Sequence, residues 1–592
     1  MLERIGPWDC FTIGIYLLTV IGIGWWFSRK QNTSEDFLLG GRKLPWFVVG
    51  ISYMMGLLST YSLVMVPGEI FNHGLSLLLL TVFYPLFSVL AFSIFIRFYF
   101  RLQSFTPYEY LERRYDFRIR LLVSGIFFWS RLLYLGMVMF AASKVFEGAA
   151  GWPAWKTIVF VGAVTMTYTI LGGRKAVIWT DVVQFVILLS GLIFAVYICL
   201  KNIDGGFFEV LFYSFKHGRG PTRYAELSFY NVDPYMRLSF WILLIGAITE
   251  AMTNASSNQT SVQSLLSTSS YENAKKAIFT NAALSLPFIL MMWLIGFAMF
   301  TYYAQHPDPR VTSGDVAFYT FIGTRLPTPI PGLLISALLA AAMGALNAGW
   351  NSLSAVWLKE FHLKFFNTNL SEKRQVLVCR VAVTLIAIFT MSLALLITVT
   401  SRKFNQSVVE AAAIFSALNV VALPSFYFAV FSNRITSKII WFVTCFCWGV
   451  DIGAVRWYTA SHSGMSGTMP LSYIGLPVAA FIILFILSIF SRSRWGTISS
   501  IVKGASLLSL GFSTTMFIWY ICARHGGGEL SFQWISFPGV ITFLIVGIIS
   551  IKFFGKTPAP EKYMGLTWST LNEKVRDGSV GDKDIVQDKI KV

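Results

Sequence analysis

Two runs of polar residues lie inside otherwise apolar stretches of this chain. The first is Gly56-Leu57-Leu58-Ser59-Thr60-Tyr61-Ser62, and the second extends from Thr249 to Gln259. Polar groups in hydrocarbon need partners from protein or from a water-filled cavity. Where such a run breaks a helix, the freed carbonyls and amides can replace the water around a cation and a small solute. The chemistry indicated is binding and translocation, and nothing in the sequence suggests an enzyme.

A different explanation of these runs needs no function. Ser and Thr hydroxyls can bond back to carbonyls of their own helix, and polar faces can join neighbouring helices. This alternative accounts for one polar run more easily than for two.

Two carboxylates stand at membrane depth, where they are costly and tend to mark ion or proton paths. Burial favours their protonated forms, so Asp181 and Glu250 are candidates for proton coupling. Gln184 lies three residues after Asp181, on the same helix face. The alternatives are a helix-end carboxylate for Asp181 and a partner of a basic residue for Glu250.

Arg131 is the only basic residue predicted well inside a span. A guanidinium there needs an anionic partner, which is either a protein carboxylate such as Glu250 or the carboxylate of a solute. The second interpretation predicts an anionic solute. Asn347 and Asn351 share one helix face, where their amides either face the Asp181 region or bond across helices.

The composition places these residues in a polytopic membrane protein. The chain has 592 residues, of which 55% are hydrophobic and 13% charged, and its mean hydropathy is +0.63. Those values exclude a water-soluble globular enzyme. Apolar stretches of roughly 20 residues predict fifteen helical spans. They are 9–28, 46–66, 74–96, 121–145, 155–171, 177–200, 238–263, 277–303, 329–358, 380–400, 407–431, 439–458, 473–490, 505–522 and 534–554.

The net charge of +18 is explained by topology. With the N-terminus outside, most Lys and Arg of the connections fall on the cytoplasmic side, where basic residues are retained. The excess therefore does not indicate nucleic acid. We expect a multi-pass protein of the plasma membrane with a cytoplasmic C-terminus. The six Cys and six His form no pattern typical of a disulfide framework or a zinc site.

The two polar runs fall in the second and seventh spans. That spacing predicts an inverted repeat of five plus five helices, in which each half opens with a broken helix. We expect a leading helix in 1–30, a ten-helix core in 44–435, extra membrane helices in 436–555 and a polar cytoplasmic tail in 556–592.

The run from Tyr168 to Gln184 has the sequence YTILGGRKAVIWTDVVQ. It resembles the signature of the sodium:solute symporter family. Gly40-Gly41-Arg42, Asn258-Gln259 and Ala340-Ala341-Ala342 are further similarities, and the resemblance covers about residues 8–435. It implies an all-α core of the amino acid/polyamine/organocation type. The motifs at Val66–Phe71 and Tyr108–Tyr115 are similar to the branch that carries monocarboxylates, iodide and vitamins. A hexose is disfavoured, because the positions of the stacking aromatics correspond to Asn254 and Ala255.

The resemblance also implies a sodium site. Its ligands would be the carbonyls of Met55, Leu58 and Ala341 and two hydroxyls. Asp181 resembles a residue on the inner cation path or at a second sodium site. The hydroxyl positions match Gly344 and Ala345, so this site is incomplete. Three outcomes follow: water fills the gap, another cation or a proton is used, or the carrier is uncoupled. We expect uptake to respond more to a pH gradient than to replacement of sodium.

The predicted function is symport of a small organic solute, with a carboxylate as one candidate class, by alternating access. The partners implied are the solute, a monovalent cation or proton, and the lipid bilayer; no cofactor other than Na⁺ and no obligate protein partner is implied. A solute sensor that does not transport is the alternative from another class. The residues expected to contact the solute are Ser59, Thr60, Tyr61, Ser62, Arg131, Asn254 and Ser257.

Overall fold

The structure is a computed structural model of the chain. It describes residues 6–401 except 30, 32, 59, 222–223, 225, 232–237 and 367–368, and then 420, 422–461, 505–516, 518 and 537–573. The described residues form helices joined by loops, with no β-strand among them. They fall into two compact units. Unit 1 contains Met1–Thr106, Ile126–Asn419 and Leu530–Trp534, and unit 2 contains Pro107–Gly125, Val420–Glu529 and Ile535–Val592.

The α-helices up to residue 401 include the apolar segments of the sequence. They are α1 (Pro7–Ser28), α2 (Ser34–Leu39), α3 (Trp46–Leu57), α4 (Thr60–His73), α5 (Leu78–Arg101), α6 (Pro107–Arg114), α7 (Phe117–Ala150), α8 (Ala154–Lys201), α9 (Gly206–Lys216), α10 (Phe240–Ser256), α11 (Gln259–Leu266), α12 (Tyr271–Gln305), α13 (Gly314–Arg325), α14 (Ile330–Val356), α15 (Leu363–Phe365) and α16 (Glu372–Ser401).

Eight of the described helices are long and apolar enough to cross a membrane, or nine if one bent pair counts as a single span. A helix satisfies all its own backbone groups, which is why it can cross hydrocarbon. The chain is therefore an integral, multi-pass membrane protein. The predicted span 473–490 and most of 407–431 lie outside the described residues.

The first polar run breaks a helix, as predicted. α3 ends at Leu57, Leu58 has extended backbone (φ −75°, ψ 140°), and α4 begins at Thr60. The two helical arms are bent by 63°. Ser59, at the centre of the break, lies outside the described residues.

The second polar run is also broken, between α10 and α11. Asn258 leaves the helical conformation (φ −79°, ψ 99°), and its side-chain oxygen accepts a hydrogen bond from the backbone N–H of Thr260. That contact is an N-cap, which satisfies one of the free donors at a helix start. The sequence prediction of two interrupted spans is confirmed.

α8 contains two helices, which correspond to the predicted spans 155–171 and 177–200 and meet at a kink. The junction is Gly173, whose backbone (φ 51°, ψ −155°) is not helical. A side chain there would lie 2.9 Å from both Gln31 and Phe37. The conformation and the close packing both require glycine.

α14 lies at the centre of unit 1 and packs against α1, α3, α8 and α16. All but two residues of this helix, Ile330 and Leu333, are buried. Its small residues allow close approach, since a Cβ added to Gly349 would lie 2.6 Å from Leu135. Its start is held by Asp9 of α1, whose carboxylate accepts the N–H of Gly332 at 2.8 Å.

Unit 2 holds the remaining helices. They are α17 (Leu423–Phe431), α18 (Ser437–Ser461), α19 (505–516) and α20 (Phe537–Phe554). α18 packs against α20. Asp451 of α18 is buried and accepts the N–H of Gly539 at 2.7 Å, which secures the start of α20.

Part of the segment predicted as a polar tail is folded. Residues 556–573 contain two short 3₁₀ turns, and Leu566 is buried. The Tyr110 hydroxyl of α6 donates to the Leu566 carbonyl at 2.7 Å. Ser569 accepts from Asn433 at 2.9 Å. This docked segment belongs wholly to unit 2.

Candidate functional site

Two oxygen-bearing groups lie on one face of α3, close to the break that follows it. Ser52 and Met55 are three residues apart, so they share that face, and both are buried. The backbone of α3 ends two residues after Met55. Carbonyls in the last turn of a helix have no partner within the helix, so they are available to a ligand.

Asp181 of α8 lies opposite this face. Its Oδ2 accepts a hydrogen bond from the Ser52 hydroxyl at 2.5 Å. Its Oδ1 is inaccessible to solvent and has no hydrogen-bond partner. A buried carboxylate oxygen without a partner is costly unless a cation or a proton compensates it.

Gln184 supplies a second acceptor of this kind. It is buried, and its Oε1 has no hydrogen-bond partner. Its Nε2 donates to the hydroxyl of Tyr16 in α1 at 3.4 Å. Gln184 thus turns its amide nitrogen towards α1 and leaves its oxygen unused.

These oxygens converge on Gly344 of α14. A Cβ at Gly344 would lie 3.2 Å from Gln184 Oε1, 3.5 Å from the Met55 carbonyl oxygen and 3.7 Å from Asp181 Oδ1. The space that a larger residue would fill is therefore bordered by three acceptors. Hard cations such as Na⁺ prefer oxygen ligands of this kind, as the alkaline-earth cations do. We call Met55, Asp181, Gln184 and the space beside Gly344 the oxygen cluster.

The structure brings Met55, Asp181 and Gly344 together from the predicted cation set. Leu58 lies at the break, and Ala341 and Ala345 are buried in α14. Arg174 directly follows Gly173, the junction of α8. It is fully buried and interacts electrostatically with Asp181. Its guanidinium donates to the Ser264 hydroxyl.

Glu250 of α10 is an exposed residue. The outer face of α10 is marked by Trp241 and Ile245, which are 41% and 37% exposed. Glu250 follows Trp241 by nine residues, or about two and a half turns, so the two residues lie on opposite sides of the helix. It shares its face with the buried Asn254 instead.

Three tyrosines from three helices interact electrostatically with the Glu250 carboxylate. They are Tyr53 of α3, Tyr84 of α5 and Tyr134 of α7. The Tyr53 hydroxyl is inaccessible to solvent. The Tyr84 hydroxyl accepts from the Asn254 amide at 3.1 Å.

Arg131 borders the same group of side chains. Its guanidinium carbon lies 4.9 Å from the ring centroid of Tyr134, one turn along α7. Its Nε is inaccessible and has no hydrogen-bond partner. Within the part of the chain that the structure describes, neither Arg131 nor Glu250 forms an ion pair.

Several residues predicted to contact the solute have internal partners. The Thr60 hydroxyl donates to the Leu338 carbonyl at 2.8 Å, which ties the broken helix to α14. The Ser257 hydroxyl donates to the Thr253 carbonyl at 3.2 Å. Ser62 is half-buried on α4. Ser59 and the side chain of Tyr61 lie outside what the structure describes.

The two asparagines of α14 bond across helices. Asn347 accepts from the Thr169 hydroxyl at 3.1 Å, and Asn351 accepts from the Gln263 amide at 2.8 Å. These contacts favour the interpretation in which the two amides form hydrogen bonds between neighbouring helices.

Sequence reasoning missed Ser52 and the three tyrosines. A signal existed for Ser52, because it stands three residues before Met55 on the face of the predicted cation ligand. The tyrosines come from three separate helices, and only tertiary packing brings them together. Tyr residues in an apolar span read as ordinary core.

The chain is similar to known carriers. The model of the sodium:solute symporter family matches residues 37–439. The sodium/sialic acid symporter NanT of Aliivibrio fischeri is 26% identical over 63% of this chain and 73% of its own length. The human sodium/iodide cotransporter is 29% identical over 60% of this chain and 56% of its own length. Human sodium-coupled monocarboxylate transporter 2 is 27% identical over 63% of this chain and 60% of its own length.

A solved structure shows the same fold. The substrate-bound, outward-open state of a Na⁺-coupled sialic acid symporter superimposes with a TM-score of 0.73, covering 94% of this chain and 100% of that one. The sequence identity is 21%. The matched portion spans less than two thirds of the length of the two human carriers.

Proposed function

Because the chain belongs to the sodium:solute symporter family, we propose that it is a secondary carrier that couples a small organic solute to a monovalent cation. Alternating access would use the breaks at α3–α4 and α10–α11. Interrupted helices of corresponding position are typical of carriers that bind their cargo at the bilayer midplane.

The observation that carries this proposal is the oxygen cluster. Three acceptors border one space, and two of them, Asp181 Oδ1 and Gln184 Oε1, have no other partner. The Gly344 and Ala345 positions lack the hydroxyls of the expected site, and Asp181 and Gln184 supply oxygens in their place. Sodium is therefore the first candidate for the coupling ion.

A proton is the second candidate, and Asp181 supports it as well. A single carboxyl group suffices to carry a proton, and Asp181 lies in a buried site with a hydroxyl donor on one oxygen only. Under this alternative, the expected response to a pH gradient exceeds the response to removal of sodium. Glu250 remains a further candidate for the proton.

The solute is proposed to include an anionic group that binds Arg131. An arginine guanidinium pairs with carboxylates in a bidentate geometry, and Arg131 has no ion partner within the described residues. The relatives support an anion, since sialic acid, monocarboxylates and iodide are all negatively charged at neutral pH.

Flux into proteoliposomes tests both points. We expect radiolabelled carboxylates to accumulate above equilibrium when a sodium gradient is imposed at constant pH. This accumulation should disappear when choline replaces sodium. We expect Asp181→Asn to abolish accumulation, because it removes the charged acceptor, while solute exchange at equal concentrations persists. Asp204→Asn, at an exposed loop position, is the control and should behave as wild type.

Other outcomes distinguish the alternatives. Accumulation driven by a pH gradient without sodium would favour the proton. Stabilisation of the protein by a solute without any flux would favour a sensor. Full sodium-driven accumulation by Asp181→Asn would contradict the proposed cation site.

A further inference from the structure

One side chain of α1 reaches the oxygen cluster from outside the part of the chain that the family model matches. α1 ends at Ser28, whereas the match begins at residue 37. Tyr16 of α1 is 2% exposed, and its hydroxyl accepts a hydrogen bond from Gln184 Nε2 at 3.4 Å. Gln184 Oε1 is in turn the acceptor nearest to the space beside Gly344. Tyr16 therefore contacts the amide that supplies one oxygen of the cluster.

The position of Tyr16 is fixed, because α1 is held on both sides of it. Asp9, Tyr16 and Gly24 are seven and eight residues apart, so they lie on one face of the helix. Asp9 accepts the N–H of Gly332 in α14 at 2.8 Å. A Cβ at Gly24 would lie 2.7 Å from the Cβ of Tyr168 in α8, so the two helices are in close contact there. α1 cannot slide or rotate without losing these contacts.

The Tyr16 hydroxyl determines which end of the Gln184 amide faces the cluster. A phenolic hydroxyl has one proton to donate, and the Tyr16 hydroxyl donates it to Met343 Sδ at 3.5 Å. It therefore presents only its lone pairs to Gln184, and lone pairs bind the amide nitrogen but not the amide oxygen. The nitrogen is held towards Tyr16, and Oε1 is directed to the space beside Gly344.

The opposite orientation of this amide would block a cation. Asp181 Oδ1 has no hydrogen-bond partner and borders the same space as Gln184 Oε1. A rotated amide would bring its N–H groups beside this carboxylate, where they would form a charge-assisted hydrogen bond. Hydrogen atoms would then face the space that a cation needs. The contact with Tyr16 opposes this rotation.

We propose that Tyr16 is a positioning residue for a bound sodium ion. Its hydroxyl holds the Gln184 amide so that Oε1 faces the ion together with Asp181 Oδ1 and the Met55 carbonyl. This inference rests on the proposed carrier function and adds the leading helix to its cation site. It also commits the cluster to a metal ion, because a proton on Asp181 needs no second oxygen.

Two measurements test this role. They are the sodium concentration for half-maximal uptake of radiolabelled carboxylates into proteoliposomes, and the sodium dependence of thermal unfolding of the full chain in detergent without solute. Tyr16→Phe keeps the ring and removes the hydroxyl. We expect it to raise the sodium concentration for half-maximal effect about fivefold in both measurements, as for loss of one hydrogen bond. The KM for the solute at saturating sodium should be unchanged.

The matched control is Tyr197→Phe in α8, because Tyr197 is 61% exposed. Its sodium dependence should equal that of the wild type in both measurements.

Further variants separate positioning from packing. Gln184→Leu removes the oxygen itself and should raise the sodium requirement about tenfold. Adding Tyr16→Phe to Gln184→Leu should raise it no further, because Tyr16 acts only through the amide. Met343→Leu conserves side-chain volume and frees the Tyr16 proton to bind the amide oxygen. It should therefore raise the sodium requirement as well, and it tests the role if Tyr16→Phe does not fold.

Failure of this inference is distinct from failure of the carrier function. Unchanged sodium dependence in Tyr16→Phe, or additive effects with Gln184→Leu, overturns the positioning role even if the wild type accumulates solute. Unchanged sodium dependence in Met343→Leu overturns it where Tyr16→Phe does not fold, and uptake driven by protons alone overturns it in any case. The carrier function instead fails if no solute accumulates in any gradient, and the sodium dependence of unfolding then still decides the role of Tyr16.

Discussion

Gly344 is the residue whose substitution tests the oxygen cluster most directly. A methyl group there would stand 3.2 Å from Gln184 Oε1 and 3.5 Å from the Met55 carbonyl. We expect Gly344→Ala to raise the cation concentration for half-maximal uptake by about tenfold, or roughly 1.4 kcal/mol, because the methyl group occupies the space of the ion. The measurement is uptake against cation concentration in proteoliposomes.

The matched control is Gly14→Ala in α1, where an added Cβ meets nothing within 4 Å. Alanine has a higher helix propensity than glycine by about 1 kcal/mol, so neither substitution should lower stability through its backbone. Unchanged cation dependence in Gly344→Ala would place the coupling ion elsewhere.

At the scale of single residues, the sequence identified Asp181, Met55 and Gly344, because charge, helix breaks and family resemblance all point to them. It could not show that Gln184 leaves its oxygen unused, since that depends on the partner of its nitrogen, Tyr16 in a distant helix. Whether a buried polar atom is satisfied is a tertiary property.

Among the elements, α8 depends on one glycine. Gly173 adopts φ 51° and ψ −155°, and its neighbours Gln31 and Phe37 leave no room for a side chain. We expect Gly173→Ala to destabilise the protein by about 1–3 kcal/mol, the usual cost of a strained backbone position. Thermal unfolding in detergent should show a lower midpoint.

Gly22→Ala provides the comparison, because an added Cβ there also meets nothing within 4 Å. Its midpoint should remain that of the wild type. Equal midpoints for the two variants would mean that the junction of α8 tolerates a side chain.

At this scale, both helix breaks were predictable, because glycine and hydroxyl clusters interrupt the apolar pattern. The two spans predicted on either side of Gly173 are also confirmed, since two helices meet at a kink there. Hydropathy identifies apolar length, whereas the direction of the chain at a glycine depends on its φ and ψ angles.

For the whole molecule, the distribution of basic residues predicts that the N-terminus is outside and the C-terminus cytoplasmic. We expect an epitope fused before Met1 to react with antibody on intact cells, and one fused after Val592 to react only after permeabilisation. A control epitope on a cytosolic protein verifies that the cells are sealed. The reverse pattern of reactivity would contradict the predicted orientation.

The family prediction for the whole molecule is confirmed, including the similarity to iodide and monocarboxylate carriers. The similarity to sialic acid symporters was not part of the branch expectation. Family motifs report the scaffold, and substrate choice depends on a few side chains in the cavity.

The docked segment of residues 556–573 has a practical consequence for anyone who alters the end of the gene. A stop codon at 556 would remove the buried Leu566, and with it the carbonyl that accepts a hydrogen bond from the Tyr110 hydroxyl. Purification handles and fluorescent reporters are therefore better joined beyond Glu573, where they leave this packing intact.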